Sequence, residues 1–253
     1  DGRLMGAASR ALSKVGAYGL FTSDCLRSLL RGGVSLERVG VEAYKTGIRA
    51  FPVLFTMALF VGSNLALQGH AAFSTLGAGN LVGMFVALAG VREVCPLLAA
   101  TMVAAKAGTE MTAQLAVMRT KEQIDAIEVM AIDPRRELVV PSILAIMLTL
   151  PALTVITIFV ALAASLGVAV LQLGVDRGEF LSFLVGYLTA YDLFAATVKS
   201  VVFGAIIATV SGYFGFFSER GPRGVGEATN HAVVTMCIVI ITLNFALTSL
   251  LYG

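Results

Sequence analysis

The sequence has no tryptophan, only two histidines and three cysteines, and no more than 13% of its residues are charged. A soluble domain carries roughly 25% charged residues, so this chain has too little polar surface to stand in water. Cys25, Cys95 and Cys237 are odd in number and widely spaced, which argues against a disulfide framework or a metal site. There is no G-x-x-x-x-G-K-[ST] loop, no H-E-x-x-H and no Cys/His cluster. The chain therefore lacks its own means of hydrolysing ATP, no catalytic or metal-ligating residue is assigned, and no cofactor or nucleic acid is expected. The first thirty residues do not show the basic start, apolar run and small-residue site of a signal peptide. Apolar residues are abundant: they make up 57% of the chain, and the mean hydropathy is +0.87.

Five apolar runs are long enough to cross a hydrocarbon core of about 30 Å, which takes roughly 20 helical residues. They cover about 48–67, 81–105, 138–173, 180–217 and 232–251. The third is long enough that it must tilt, kink at Pro151 or emerge from the bilayer; the fourth has polar breaks at Tyr191–Asp192 and Lys199. Helices satisfy their own backbone in lipid, so the expected fold is all-α and polytopic. Residues 1–46 form an N-terminal interfacial region and 47–253 a transmembrane domain. In the former, Leu4, Met5, Ala8, Leu12 and Val15 recur at helical spacing opposite Arg3, Arg10 and Lys14. That pattern suits a helix lying in the membrane interface over about 4–30; a poorly formed extra span is the alternative.

Basic residues set the orientation. Arg27, Arg31, Arg38, Lys45 and Arg49 precede the first run; Arg119, Lys121, Arg135 and Arg136 lie between the second and third; Arg220 and Arg223 lie between the fourth and fifth. The opposite loops carry only Arg177. The N-terminus is expected in the cytoplasm and the C-terminus outside.

The segment after the second run is the most informative. A short helix is expected over about 121–132, with Glu122, Asp125 and Glu128 as an acidic ridge, Ile124, Ile127 and Ala131 on another face, and Met130 beside it. Pro134 disfavours helix at Asp133 and ends the element. Such a helix either docks into a groove of a soluble partner or rests on the membrane surface.

The run Glu122-Gln-Ile-Asp-Ala-Ile-Glu-Val-Met-Ala-Ile-Asp-Pro134 resembles the E-Q-I-D-A-L-E-V-M-G-I-D-P signature of MlaE/YrbE permeases. Val91 to Pro96 resembles that family's R-E-L-G-P, Lys199 to Gly204 its K-S-V-V-F, Gly224 to Thr229 its G-V-G-x-A-T, and Asn244 to Thr248 its D-F-V-L-T. The resemblance runs through nearly the whole chain in order. It implies a permease of a bacterial inner-membrane ABC transporter that moves lipids, in particular phospholipids. The implied partners are a second permease chain, a cytoplasmic ATPase that binds ATP and magnesium, and a periplasmic MCE-domain protein. The helix over 121–132 would be the ATPase-coupling element, through Glu122, Asp125, Ile127, Glu128, Met130 and Asp133. Lys106 stands where the family has arginine, Gln114 where it has an acid, and Ala131 where it has glycine. These departures leave both a homodimer and a heterodimer with a paralogue open.

Arg92, Glu93 and Lys199 fall near the middle of the second and fourth runs. A charge at the bilayer centre costs about 2.5–3.5 kcal/mol on insertion scales, so each must face protein, water or a counter-charge. They form either a structural ion pair or a patch steering a lipid headgroup, and Asp192, two turns before Lys199, is a candidate partner for it. The resemblance adds Leu65 and Phe73 at the mouth of a lipid cavity; His70 reads as an interfacial residue. Small residues recur every fourth position at Ala100, Ala104 and Gly108, and at Ser200, Gly204, Ala208 and Gly212, where helices can approach closely. A secondary transporter or channel, or a membrane-embedded lipid-modifying enzyme, are the other readings; the first would want inverted repeats and the second a compact acid–base cluster.

Overall fold

The computed structural model of the chain describes residues 16–28, 35–75 and 77–253. The amphipathic positions Leu4 to Val15 and the basic residues Arg3, Arg10, Lys14 and Arg31 lie outside them. Helix α1 covers 16–28 and α2 Leu36–Ser74. A 3-10 turn over Gly79–Leu81 leads into α3, Val82–Thr120. Then follow α4 (Gln123–Val129), α5 (Arg135–Leu171), α6 (Arg177–Tyr187), α7 (Ala190–Phe216) and α8 (Pro222–Tyr252). Among the described residues there is no strand, and α2, α3, α5, α7 and α8 are long and apolar enough to cross a membrane.

Most spans outrun the apolar stretches that announce them. α3 has 39 residues, about 58 Å at 1.5 Å per residue, and continues to Thr120 rather than ending near 105. Arg92 consequently sits in its first third, not at its middle, and Lys199 likewise lies in the first half of α7. The third run is one continuous helix with Pro151 inside it. The fourth run is not one span but two helices. Leu188 and Thr189 are extended, and α7 opens with a capping box between Thr189 and Asp192. Asp192, read as a polar break, is the helix start signal. α6 starts on Asp176, whose carboxylate accepts from the backbone of Gly178 (2.7 Å) and Glu179 (3.1 Å).

Small residues set the helix crossings. α2 and α5 run parallel, and a Cβ on Gly62 would stand 2.2 Å from the Ala161 carbonyl oxygen. α7 runs antiparallel to α5: a Cβ on Gly204 would meet Met147 Cα at 3.1 Å, and one on Gly212 would meet Val139 at 2.8 Å. Ser200, Gly204, Ala208 and Gly212 are all buried, so that ladder is a contact face. The shorter ladder is buried too, with Gly108 against Met236 of α8. α1 lies on the last turns of α7. Phe21 joins the rings of Tyr213, Phe216 and Phe217, and the Tyr18 hydroxyl is 2.7 Å from Thr209 Oγ1. Asp24 pairs with Arg135 at 2.5 Å.

α3 is not uniform. The N–H of Cys95 bonds to the Gly90 carbonyl and that of Thr109 to the Ala104 carbonyl, five residues back, so both stretches are widened π-helical turns. Arg92 and Glu93 sit in the first and Lys106 in the second.

Candidate functional site

Two places gather the residues singled out in the sequence. One lies where α3, α7 and α8 meet, near the end of the bundle that carries α6. Arg92 Nε is 2.7 Å from Asp192 Oδ1, and the other Asp192 oxygen accepts from the Thr189 N–H and hydroxyl, both at 2.8 Å. Lys199 Nζ donates to the Arg92 carbonyl (2.9 Å) and to Thr248 Oγ1 (2.7 Å), and lies 3.7 Å from Glu93. Asn244 donates to the other Glu93 oxygen at 2.7 Å. The Arg92 guanidinium stands 4.7 Å over the Tyr252 ring.

The anticipated Asp192–Lys199 pair does not form: Asp192 takes Arg92 and Lys199 takes Glu93. Pro96 helps explain why Lys199 finds a backbone oxygen. Proline has no N–H, so it cannot occupy the Arg92 carbonyl one turn back, and the ammonium uses it. Two cations and two anions therefore balance. Lys199 and Asp192 are fully buried, whereas the side chains of Arg92 and Glu93 are 31% and 38% exposed. The open side of the cluster thus offers one guanidinium and one carboxylate, and the buried Asn244 Oδ1 beside them has no hydrogen-bond partner among the described residues. Such a set can hold a headgroup carrying both charges.

Leu65 is buried in the core of that end with Val82, Val86 and Phe180, so it does not open onto a lumen within one chain. Phe73 is half-buried with its ring 6.2 Å from that of Phe85. His70 stands beneath Gly79 with a buried Nδ1 that has no partner among the described residues.

The second place is the elbow at the opposite end. α4 is shorter than the expected 121–132. Glu122 adopts a left-handed backbone (φ 58°) as its cap residue, and Ala131 does so (φ 59°) just beyond its end. The N–H of Ala131 bonds to Glu128 and that of Ile132 to Ile127, the paired closure that normally carries glycine at this position. Two of the three ridge acids are tied back to the bundle by arginines. Arg220 donates to Glu122 at 2.9 Å and to Asp125 at 2.7 Å, while Arg119 donates to Asp125 at 2.9 Å. Ile124 is wholly buried under the bundle and Ile127 half-buried. Glu128, Val129, Met130 and Ile132 face outward, Val129 at 87% exposure. Asp133 accepts from the Arg135 N–H at 3.0 Å and from Ser28 at 3.4 Å.

Sequence reasoning passed over Val129, Thr120 and the bidentate role of Arg220. The partners of Arg220 lie more than ninety residues away in the chain, and no local pattern signals such a contact. Lys106 is exposed, and Gln114 donates to Glu110, which is itself paired with Arg49. Beside Gln114 a crevice of about 610 Å³ opens between α2, α3 and α5, with Arg38, Glu42 and Glu137 on its rim. Of these, Arg38 pairs with Glu137 and Glu42 with Lys45.

A bundle of five spans with a docking-shaped elbow at one end and a buried charge cluster towards the other, and no nucleotide loop in its sequence, has the form of a transporter's membrane subunit. Residues 39–250 match the family described as Permease MlaE. A Rickettsia felis protein named "Probable ABC transporter permease protein" is 34% identical over 94% of this chain and 92% of its own length. The "Intermembrane phospholipid transport system permease protein MlaE" of Haemophilus influenzae is 29% identical over 84% of this chain and 82% of its own. The chloroplastic protein TRIGALACTOSYLDIACYLGLYCEROL 1 of Arabidopsis thaliana is 31% identical over 88% of this chain and 64% of its own. The chain belongs to the MlaE permease family and is an ABC transporter permease.

Proposed function

We propose that this permease moves phospholipids between a bacterial inner membrane and a periplasmic MCE-domain protein, with ATP and magnesium handled by a separate cytoplasmic ATPase docked on α4. The observation that carries this reading is the charge-balanced cluster of Arg92, Glu93, Asp192 and Lys199, half open and set within apolar helices. A phospholipid headgroup needs a guanidinium for its phosphate, and a carboxylate suits an amine beside it. The name of the Haemophilus relative points the same way.

In this reading the elbow faces the cytoplasm and α6 the periplasm, so the N-terminus is cytoplasmic and the C-terminus periplasmic. A second permease chain, identical or paralogous, completes the cavity. α8 is the natural span to face it, because only 17% of its apolar window is buried within this chain. The ATPase meets Ile127, Glu128, Val129 and Met130.

The test is reconstitution of the chain with its ATPase and MCE partner in vesicles containing a labelled phospholipid. ATP-dependent appearance of label on the MCE protein, abolished by a hydrolysis-deficient ATPase, is the expected result. Ion flux or lipid chemistry by the chain alone, without either partner, would overturn the reading.

A further inference from the structure

We propose that α8 is the rod joining the ATPase-docking helix to the headgroup cluster, and that Arg220 is the positioning residue fixing α4 to that rod; this rests on the permease reading above. Arg220 lies two residues before α8 and grips both Glu122 and Asp125. A second tie runs beside it, from the Gly221 N–H to Thr120 Oγ1 at 3.2 Å. The turn between α7 and α8 is tight. Gly221 has φ 106°, and a Cβ on Gly224 would stand 2.1 Å from the Glu219 carbonyl oxygen.

At its other end α8 supplies three members of the cluster. Asn244 holds Glu93, Thr248 holds Lys199, and the Tyr252 ring lies under Arg92. Between these ends α8 is a regular helix whose only proline is at its first position. From Pro222 to Thr248 the rise is about 39 Å. α3 also runs from the cluster to α4, but its two widened turns can absorb a displacement. α2 and α5 carry internal prolines and contribute no side chain to the cluster. α7 also runs unbroken from the cluster, but its apolar window is 50% buried within this chain against 17% for α8, so α8 can move as a body with fewer of the chain's own contacts disturbed.

The two grips of Arg220 are exposed, so they contribute little to stability. Their value is directional, since a planar guanidinium bound to two carboxylates sets the angle of α4 on the turn before α8.

The experiment uses the full complex in phosphatidylethanolamine–phosphatidylglycerol vesicles with a labelled phospholipid. It reads ATPase retained, ATP hydrolysed and lipid transferred. Arg220→Ala should retain the ATPase within about twofold while lipid transferred per ATP falls about tenfold, within the usual range of coupling between distant sites. Arg220→Lys, able to serve one carboxylate at a time, should recover part of that ratio. Thr248→Val should lower the same ratio, and the double variant should be no worse than the poorer single one, because both cut one rod. A wild-type ratio in Arg220→Ala would overturn the proposal, and so would factors that multiply in the double variant. Loss of the ATPase from both Arg220 variants would do the same, since Arg220 would then serve docking. A wild-type complex that moves no phospholipid with ATP refutes the phospholipid-transport reading, and the proposal with it.

Discussion

Lys199 is a buried ammonium whose counter-charge, Glu93, remains in contact with the open side of the cluster. Lys199→Met keeps the apolar stem of the side chain as far as its ε-carbon but leaves the Arg92 carbonyl, Thr248 and Glu93 without their cation. Breaking a fully buried pair costs about 3–5 kcal/mol; the partial exposure of Glu93 brings this loss to the lower part of that range. Adding Glu93→Gln removes the stranded charge, so the double variant should regain most of the detergent-stable yield while transport stays low. Full transport in the double variant would show that neither charge handles lipid. Ala131 offers a prediction of the opposite sign. Its left-handed backbone costs an L-residue roughly 1–2 kcal/mol, a cost that glycine escapes. Ala131→Gly should therefore steady the elbow, read as slower amide exchange at Ala131 and Ile132, without altering the rest of the bundle.

At the level of elements, α4 should dock the ATPase through its outward residues. Met130→Asp and Val129→Asp should each weaken retention about thirtyfold, the scale of a buried anchor of 2 kcal/mol, with the yield of the membrane part unchanged. Ile124→Asp is the contrasting case: Ile124 has no exposed surface, so yield and retention should fall together. Helix crossings allow a second check. Gly62→Leu places atoms inside the Ala161 backbone and should lower thermal stability in detergent by at least the 1–3 kcal/mol typical of overpacking, while Gly226→Ala meets open space within a helix and should leave stability unchanged or raise it by up to about 1 kcal/mol. Five long apolar helices, a short helix after the second of them and the small-residue ladders were legible in the sequence, because each is written in local pattern; a coupling role for the short helix came only from the family resemblance. The tie of Glu122 and Asp125 to the bundle was not legible, since its cause is Arg220 on a distant turn. Asp192 misled for a different reason. A carboxylate after an apolar run reads equally as a break or as the start of a helix, and Thr189, three residues before it, is the signal that separates the two.

For the whole molecule the open question is which end faces the cytoplasm. The elbow end holds most of the described basic residues, but also Glu37, Glu42, Glu110, Glu122, Asp125, Glu128, Asp133 and Glu137, and several of these pair with those cations. A rule of net charge would give no answer. The rule that governs insertion counts lysine and arginine near the ends of spans, with acids contributing little, and it puts the elbow inside. Thiol labelling of intact bacteria tests this with little background. Cys95 and Cys25 are buried, and burial pushes the Cys25 thiol up to about 11, so almost none of it is the reactive thiolate at neutral pH. Cys237 is half-buried and can be replaced by alanine. Gln172→Cys, exposed at the end of α5, should then react in intact cells with a reagent that does not cross the inner membrane. Gln123→Cys, exposed at the start of α4, should react only after the membrane is opened. The reverse pattern would invert the protein, place α4 out of reach of any cytoplasmic ATPase, and remove the basis for reading it as the coupling helix.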